Sequence, residues 1–240
     1  IANVLKTCTG TGTSASCIWD GKDSQSQIVP DGVYSYTLLI ADQPAKTKMK
    51  VAYGTVTVDT TPPTGSILIN GNAVWTNKTA VTLTLSCADG VGGSGCAEMQ
   101  ISNDGVFDTE PVESIAASKL WALTSGDGNK KVYVRYRDAA GNPSAKLSDN
   151  IYLDTAKPVV SSVSDSPDPF KHHLGEVSTI NYTVSDNLSG TCTIGVAFFN
   201  SLNTEVRRII KNNVSCPAGG ASGSFIWDGK DKNGVLVPAG

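Results

Sequence analysis

The chain has 240 residues and a formal net charge of −3, with 40% hydrophobic and 17% charged residues. At roughly 100 residues per β-sandwich, this length predicts two or three domains with packed cores. The small negative charge and the lack of a basic cluster argue against nucleic-acid binding, and no apolar run approaches the ~20 residues of a membrane span. An all-β fold is predicted, because 24 glycines and 11 prolines accompany abundant Ser, Thr and Val.

Residues 1–58 are predicted to form the C-terminal part of a β-sandwich. A turn at Trp19–Asp23 precedes two strand-forming runs, Val33–Ile40 and Met49–Val58. The first run is rich in β-branched and aromatic residues and is bounded by glycine and aspartate, which is typical of a strand.

A proline-containing joint separates these strands from a central segment. Proline cannot donate to a sheet and favours extended backbone before it, so Asp59–Pro63 is predicted to be a stiff linker. A related joint follows at Asp154–Pro158. Alternation of apolar and polar residues between the two joints predicts the strands Ala80–Cys87 and Lys131–Arg137. Further strands are predicted at Ser66–Asn70, Glu98–Ser102 and Asn150–Asp154.

Residues 158–240 are predicted to begin another sandwich. The longest stretch that could form a helix, Asn203–Asn212, is short. The chain stops before the equivalent of Val33–Ile40, which would leave the sandwich with an open edge. Either the polypeptide continues, or a neighbouring chain supplies the strand. The predicted strands are Ser178–Ser185, Gly195–Phe199 and Val206–Ile210.

An internal repeat links the two outer segments. The sequence Trp-Asp-Gly-Lys-Asp at Trp19–Asp23 recurs at Trp227–Asp231, 208 positions later and without a gap. The same offset also relates Cys8 to Cys216, and it extends to Gly240 at the end of the chain. A repeat of this kind is the signature of a modular array. We therefore expect the chain to be a window of a longer tandem array.

Six cysteines fall into three pairs of neighbours in sequence. None forms a CxxC pattern, which argues against zinc and redox sites and favours disulfides in an exported protein. One pairing stays open, because at the repeat offset Cys17 lies over Phe225 and the partner expected for Cys8 would precede residue 1. That pair is either a variant of this copy or an alternative pairing. The three predicted pairs are Cys8–Cys17, Cys87–Cys96 and Cys192–Cys216.

Two resemblances bear on the fold. The succession of Trp19–Asp23, Val29–Gly32 and Val33–Leu38 resembles the Ig-like domain of the flagellar hook-capping protein, a domain type that recurs in exported bacterial proteins. The stretches Met99–Gly105 and Val132–Asn142 resemble Ig-like domains of bacterial surface and adhesin proteins. These resemblances imply tandem Ig-like β-sandwiches in an extended array. The implied boundaries are 1–58, 59–157 and 158–240, with both outer modules partial.

The adhesin resemblance also implies calcium at the joints. In related arrays, aspartates at module ends bind calcium and stiffen the rod, and calcium prefers oxygen ligands held in turns. The alternative is that these side chains cap turns through backbone hydrogen bonds. A tight hairpin turn, rather than calcium, is the expected role of the aspartates around Trp19 and Trp227. The calcium candidates implied by the resemblance are Asp59, Asp138, Asn142 and Asp154.

No catalytic residue is predicted. Nucleophile-elbow, P-loop and HExxH patterns are missing from the sequence. His172 and His173 adjoin in a predicted loop, where they are expected to be exposed and to lack a partner for general-base chemistry. We expect that no cofactor is required, and calcium is the one candidate ligand. No other ligand-binding residue is identified.

The predicted function is that of a non-enzymatic extracellular segment of a bacterial surface rod, stalk or filament, with a structural or adhesive role. Its expected partners are neighbouring Ig-like modules, like protomers, and host, cell or filament surfaces, with no nucleic acid and no membrane insertion. One alternative is a self-assembling fibre subunit that strand exchange with its neighbour completes. The other is an accessory binding module of an exported enzyme.

Overall fold

A computed structural model describes residues 9–11, 14–41 and 49–238. Those residues form an all-β protein with several small sheets, as predicted, and one short 3-10 helix at His172–Leu174. The chain divides into two compact units. One is drawn from residues 1–74, 80–124 and 130–151, and the other from 75–79, 125–129 and 152–240.

The N-terminal strands form two antiparallel hairpins. In the longer hairpin, the pairing runs without interruption from Gly32 opposite Val58 to Ala41 opposite Met49. Its described side chains are half-buried or exposed, so this hairpin contributes none of the fully buried hydrophobic residues. The strands are β1 (Thr9–Thr11), β2 (Ser14–Ser16), β3 (Gly32–Ala41) and β4 (Met49–Val58).

The central strands form a three-stranded sheet, β10-β7-β5, and a five-stranded sheet, β6-β12-β11-β8-β9. All described pairings are antiparallel except that of β12 with β6. The strands are β5 (Thr64–Ile69), β6 (Trp75–Thr76), β7 (Ala80–Ala88), β8 (Cys96–Ser102), β9 (Glu113–Ser114), β10 (Ser118–Ala122), β11 (Gly128–Asp138) and β12 (Leu147–Leu153).

A single hydrophobic core lies among the central strands, consistent with a β-sandwich. The predicted alternation of β7 is confirmed, since every second residue from Val81 to Leu85 is buried. β11 alternates in the same way and buries Val132, Val134 and Tyr136. Because residues two apart share a face of a sheet, each strand contributes one apolar face to this core. The buried residues of the cluster are Ile67, Ile69, Val81, Leu83, Leu85, Met99, Ile101, Leu123, Val132, Val134, Tyr136 and Ile151.

The C-terminal strands form the sheets β13-β14-β17 and β15-β16. β16 covers most of the stretch that could have been helical, because its branched residues pair with β15. Their buried core is small and consists of Tyr182, Val184, Cys192, Cys216 and Phe225. The strands are β13 (Val159–Ser166), β14 (Ser178–Ser185), β15 (Thr191–Phe199), β16 (Glu205–Ser215) and β17 (Ala221–Trp227).

Two of the predicted disulfides are confirmed. Cys87 is bonded to Cys96 and Cys192 to Cys216. The third predicted pair includes Cys8, which lies outside the described residues. The two confirmed bonds indicate a non-reducing environment, of the kind found outside the cell. Within the described ranges, no helix has the length and apolar character that crossing a membrane would need.

The two copies of the repeated turn have the same geometry. The indole N–H of Trp19 donates to the carbonyl of Lys22 at 2.8 Å, and that of Trp227 donates to the carbonyl of Lys230 at 2.9 Å. One carboxylate oxygen of Asp23 accepts two backbone N–H groups, and Asp231 does the same. These aspartates close turns through backbone hydrogen bonds, which is the geometry expected of a structural turn.

Candidate metal site

Three carboxylates converge at the start of the central segment. Asp59 follows β4, Asp89 follows β7, and Asp138 is the last residue of β11. One oxygen from each lies within 4.8 Å of the others. Ends of separate strands thus bring together residues that are far apart in sequence.

Asp59 is held by the loop that follows β7. Its Oδ2 accepts hydrogen bonds from the backbone N–H of Ser94 at 2.7 Å and from the Ser94 hydroxyl at 2.5 Å. Its Oδ1 accepts the N–H of Thr61. The bonds from Ser94 hold the pKa of Asp59 below its usual value, so the carboxylate stays ionised.

Asp138 and Asn142 form a closed turn at the end of β11. Oδ1 of the buried Asp138 accepts the N–H of Asn142 at 2.8 Å, and Oδ2 accepts its side-chain amide at 2.9 Å. The same amide nitrogen donates to the backbone carbonyl of Asp59 at 3.1 Å. Asn142 therefore joins two of the three carboxylate-bearing residues.

Asp89 lies in a loop that the Cys87–Cys96 disulfide closes. Its Oδ2 accepts the N–H of Gly95 at 2.6 Å, and its Oδ1 accepts the N–H of Gly90. The loop also contacts the Asp138–Asn142 turn, because Ala140 donates its N–H to the hydroxyl of Ser94. The disulfide and these bonds fix the position of Asp89 relative to the other two carboxylates.

The donor set suits a hard divalent cation. Calcium takes about six to eight oxygen ligands from carboxylates, amide oxygens and carbonyls. Asp59, Asp89 and Asp138 supply carboxylates, and rotation of the Asn142 amide would present its oxygen instead of its nitrogen. Carboxylates this close repel one another when ionised, and a bound cation would offset that repulsion.

The group contains two of the four predicted calcium ligands, with Asn142 beside it, and adds Asp89. Asp154, the fourth, belongs to the other compact unit. There its Oδ1 is buried and has no hydrogen-bond partner among the described residues. Burial, followed by the negative charges of Asp186 and Asp127, raises the pKa of Asp154. The ionised form of Asp154 is therefore disfavoured in the fold.

Asp127 fixes the joint that follows Asp154. One of its oxygens accepts both the N–H of Thr155 at 2.9 Å and its hydroxyl at 2.7 Å, and the other accepts the amide of Asn187. These bonds, the Thr155 hydroxyl first, lower the pKa of Asp127 to about 2. Asp186 has a lowered pKa as well, chiefly through the backbone N–H of Leu188.

The same joint is built at the start of the central segment. Asp31 accepts the N–H and the hydroxyl of Thr60 and the hydroxyl of Thr61, and these bonds lower its pKa. In both places an Asp-Gly pair precedes a long strand, and an Asp-Thr pair follows the next long strand. The two Asp-Thr joints are visibly related in the sequence, but their Asp-Gly partners were not predicted, although this shared order could have revealed them.

The histidine pair differs in part from its predicted environment. His173 is exposed, but the ring of His172 is half-buried, and its Nε2 lies 2.8 Å from the carbonyl of Val237. His172 also lies against Gly229, in the second copy of the repeated turn. Its ring therefore packs on that turn.

Comparison of the whole sequence with known protein families and with curated proteins finds no match.

Proposed function

We propose that this chain is a non-enzymatic structural segment of a bacterial surface rod, stalk or filament, built of tandem Ig-like modules. The observation that carries the proposal is the joint that is made twice. An aspartate before one strand binds the threonine after the next, as Asp31 binds Thr60 and Asp127 binds Thr155. Repetition of one joint in one chain is what a modular array requires.

The Ig-like assignment rests on strand order. In Ig-like sandwiches the first, second and fifth strands share one sheet, while the third, sixth and seventh share the other. When the two-residue strand β6 is left out of the count, the central sheets β10-β7-β5 and β12-β11-β8 follow this order. In the N-terminal segment, the hydroxyl of Tyr34 donates to the carbonyl of Pro30 at 2.7 Å. A tyrosine near the start of the sixth strand makes this bond in many such domains.

Calcium would stiffen the first joint in this proposal. Asp59 belongs to the joint, whereas Asp89 lies in the loop after β7 and Asp138 at the end of β11. A cation bound by all three would tie the joint to the central segment and restrict its motion. Calcium is abundant outside cells, and the two disulfides support an extracellular location. The mechanical role of the chain would then depend on geometry rather than on chemistry.

Isothermal titration of the chain with calcium chloride tests the cation site. Binding with a stabilising shift in thermal unfolding is expected, because a ligand that binds only the folded state raises its stability. Asp89→Asn should abolish binding, since it removes one of the three carboxylates. Asp108→Asn is the matched control, because Asp108 is an exposed aspartate of the same segment outside the cluster. Equal binding by both variants would rule the site out.

A further inference from the structure

The loop between Cys87 and Cys96 has few side chains that could hold its shape by packing. Four of the eight residues between the two cysteines are glycine, and glycine loses more conformational freedom on ordering than any other residue. The one large apolar side chain of the loop, Val91, is fully exposed. The disulfide closes the loop and restricts the open forms of this segment. The ordered form of the loop therefore depends on the bond.

The loop lies against the N-terminal strands at the first joint. Gly92 has a φ of +87°, and a Cβ at this position would lie 3.5 Å from the Cα of Gly32 and 3.8 Å from the carbonyl oxygen of Asp31. Asp31 is also the residue whose carboxylate accepts the N–H and the hydroxyl of Thr60. The loop backbone thus supports the residue that fixes the joint.

The same loop binds the joint and the central segment through its other end. The N–H and the hydroxyl of Ser94 donate to Asp59 at 2.7 and 2.5 Å. The Ser94 hydroxyl also accepts the N–H of Ala140, and the carbonyl of Gly95 accepts the N–H of Ala139, both at 2.9 Å. One short loop therefore contacts the N-terminal strands, the joint and the turn at the end of β11.

The two described disulfides differ in their exposure to solvent. Cys87 and Cys96 are both partly exposed. Cys192 is 8% exposed and Cys216 is 0% exposed, and both belong to the C-terminal core. A reductant must reach a sulfur atom in order to attack it. Of these two bonds, the one that closes the loop is therefore the one that a reductant in solution reaches first.

We propose that the Cys87–Cys96 bond is a redox switch for the first joint. A dithiol reductant opens it by thiol–disulfide exchange: the S–S bond breaks, each cysteine sulfur gains a proton and an electron from the dithiol, and the dithiol closes to a cyclic disulfide. The opened loop loses its hold on Asp31 and Asp59, and the joint gains motion. The inference rests on the proposed stiff joint and names its regulation, but its first test needs no calcium.

Amide hydrogen exchange in the presence of a chelator tests the switch without calcium. The backbone N–H groups of Thr60 and Thr61 donate to Asp31 and Asp59, respectively. Replacing both cysteines of the loop by alanine should speed the exchange of these two amides about tenfold, a factor typical of losing one hydrogen bond. Unchanged exchange at both amides would overturn the proposal.

The second joint, Asp154–Pro158, provides the matched control. There Thr155 donates its N–H to Asp127 at 2.9 Å, and both residues belong to the other compact unit. The exchange of this amide should keep the wild-type rate in the double variant. Equal acceleration at Thr155 would show that the variant is loosened throughout, which would contradict a switch that acts on the first joint.

Two variants that keep the disulfide guard against a double variant that fails to fold. Ser94→Ala removes the hydroxyl that bridges Asp59 and the N–H of Ala140, and it should reproduce part of the faster exchange at Thr61. Val91→Ser changes an exposed side chain of the same loop and should leave that rate unchanged. Wild-type exchange in Ser94→Ala, or equal acceleration in both variants, would overturn the hold that the loop is proposed to exert.

Graded reduction with dithiothreitol, followed by alkylation and mass spectrometry, tests the order in which the bonds open. Cys87 and Cys96 should be alkylated at a lower dithiothreitol concentration than Cys192 and Cys216, and the reverse order would overturn the switch. Calcium titration of the oxidised wild type tests the proposed function separately. Binding without faster exchange in the double variant would contradict the switch alone, whereas faster exchange without binding would contradict the calcium-stiffened joint alone.

Discussion

The central and C-terminal strands share a strand order but differ in the size of the buried core that they enclose. Each has a three-stranded sheet of the same order and a disulfide. The central core contains Val132, Val134 and Ile151 from β11 and β12, whereas the C-terminal core has no described counterpart of these strands. The difference teaches that the last two strands of such a module supply much of its core.

Removing the disulfides should produce the largest loss of stability in the two regions. A crosslink stabilises by restricting the unfolded chain, and more so for a longer loop. The Cys192–Cys216 bond spans 24 residues and the Cys87–Cys96 bond spans 9. Replacing both cysteines of a pair by alanine should therefore cost about 3.5 and about 2.7 kcal/mol, respectively.

Urea unfolding of the two double variants measures this contrast. The C-terminal region should unfold first when its bond is removed, since its buried core is smaller. Reduced wild-type protein serves as the control, because it lacks both bonds without any substitution. An equal loss of stability from the two double variants would contradict the dependence on loop length.

Matched valine substitutions sharpen the comparison of the cores. Val134 on β11 is 0% exposed and Val184 on β14 is 3% exposed. Val134→Ala should cost about 2 to 3 kcal/mol of unfolding free energy, from lost burial and the cavity left behind. Val184→Ala should cost about 1 kcal/mol less, because fewer buried residues surround it. Denaturant unfolding followed separately in each region gives both values, and a larger cost for Val184→Ala would reverse our account of the cores.

The strands could be predicted from the sequence more fully than the candidate metal site. The ends of Met49–Val58 and Ser178–Ser185 were predicted to the residue, because alternation and turn residues are local signals. β13 was not predicted as a strand. All eight of its residues are exposed, so it lacks the alternation that marks a half-buried strand.

The candidate site was predictable only in part. Asp138 and Asn142 lie four residues apart in one turn, and their hydrogen bonds are local. The approach of Asp89 to Asp59 depends on how β4 and β7 end and on the bonds from Ser94. Sequence spacing carries no record of such long-range contacts. Asp154 shares an Asp-Thr motif with Asp59, but its acidic neighbours are Asp127 and Asp186.

Asp154→Asn tests the cost of ionising a carboxyl group that has one buried oxygen without a hydrogen bond. Because the pKa of Asp154 is raised in the fold, its charged form destabilises the folded state as the pH rises through that pKa. The neutral amide should therefore raise the midpoint of thermal unfolding at pH 7, and the gain should vanish in acid, where Asp154 is protonated. Asp149→Asn, which leaves one acceptor oxygen for the two backbone N–H groups of Ile69 and Asn150, should lower the midpoint instead. A lower midpoint for Asp154→Asn would show that its charge is compensated.

The smallest expected effect concerns Asp127 in acid. Its pKa is lowered from 3.8 to about 2, so its contribution to stability is present above pH 3.8 and is lost as the pH falls through about 2. Asp127→Asn should be less stable than the wild type at neutral pH and equally stable below that range. Thermal unfolding of the two proteins across the acid range gives this difference. A stability gap that persists at the lowest pH would mean that Asp127 acts through contacts other than its charge.

Single-molecule force spectroscopy in calcium and in chelator tests the structural role most directly. We predict stepwise unfolding in which the residues inside the disulfide-closed loops do not extend. The unfolding force should be higher in calcium, and this increase should be lost in Asp89→Asn and kept in Asp108→Asn. A force–extension trace that is the same in calcium and in chelator, with no discrete unfolding steps, would contradict the account of a chain of mechanical modules with cation-stiffened joints.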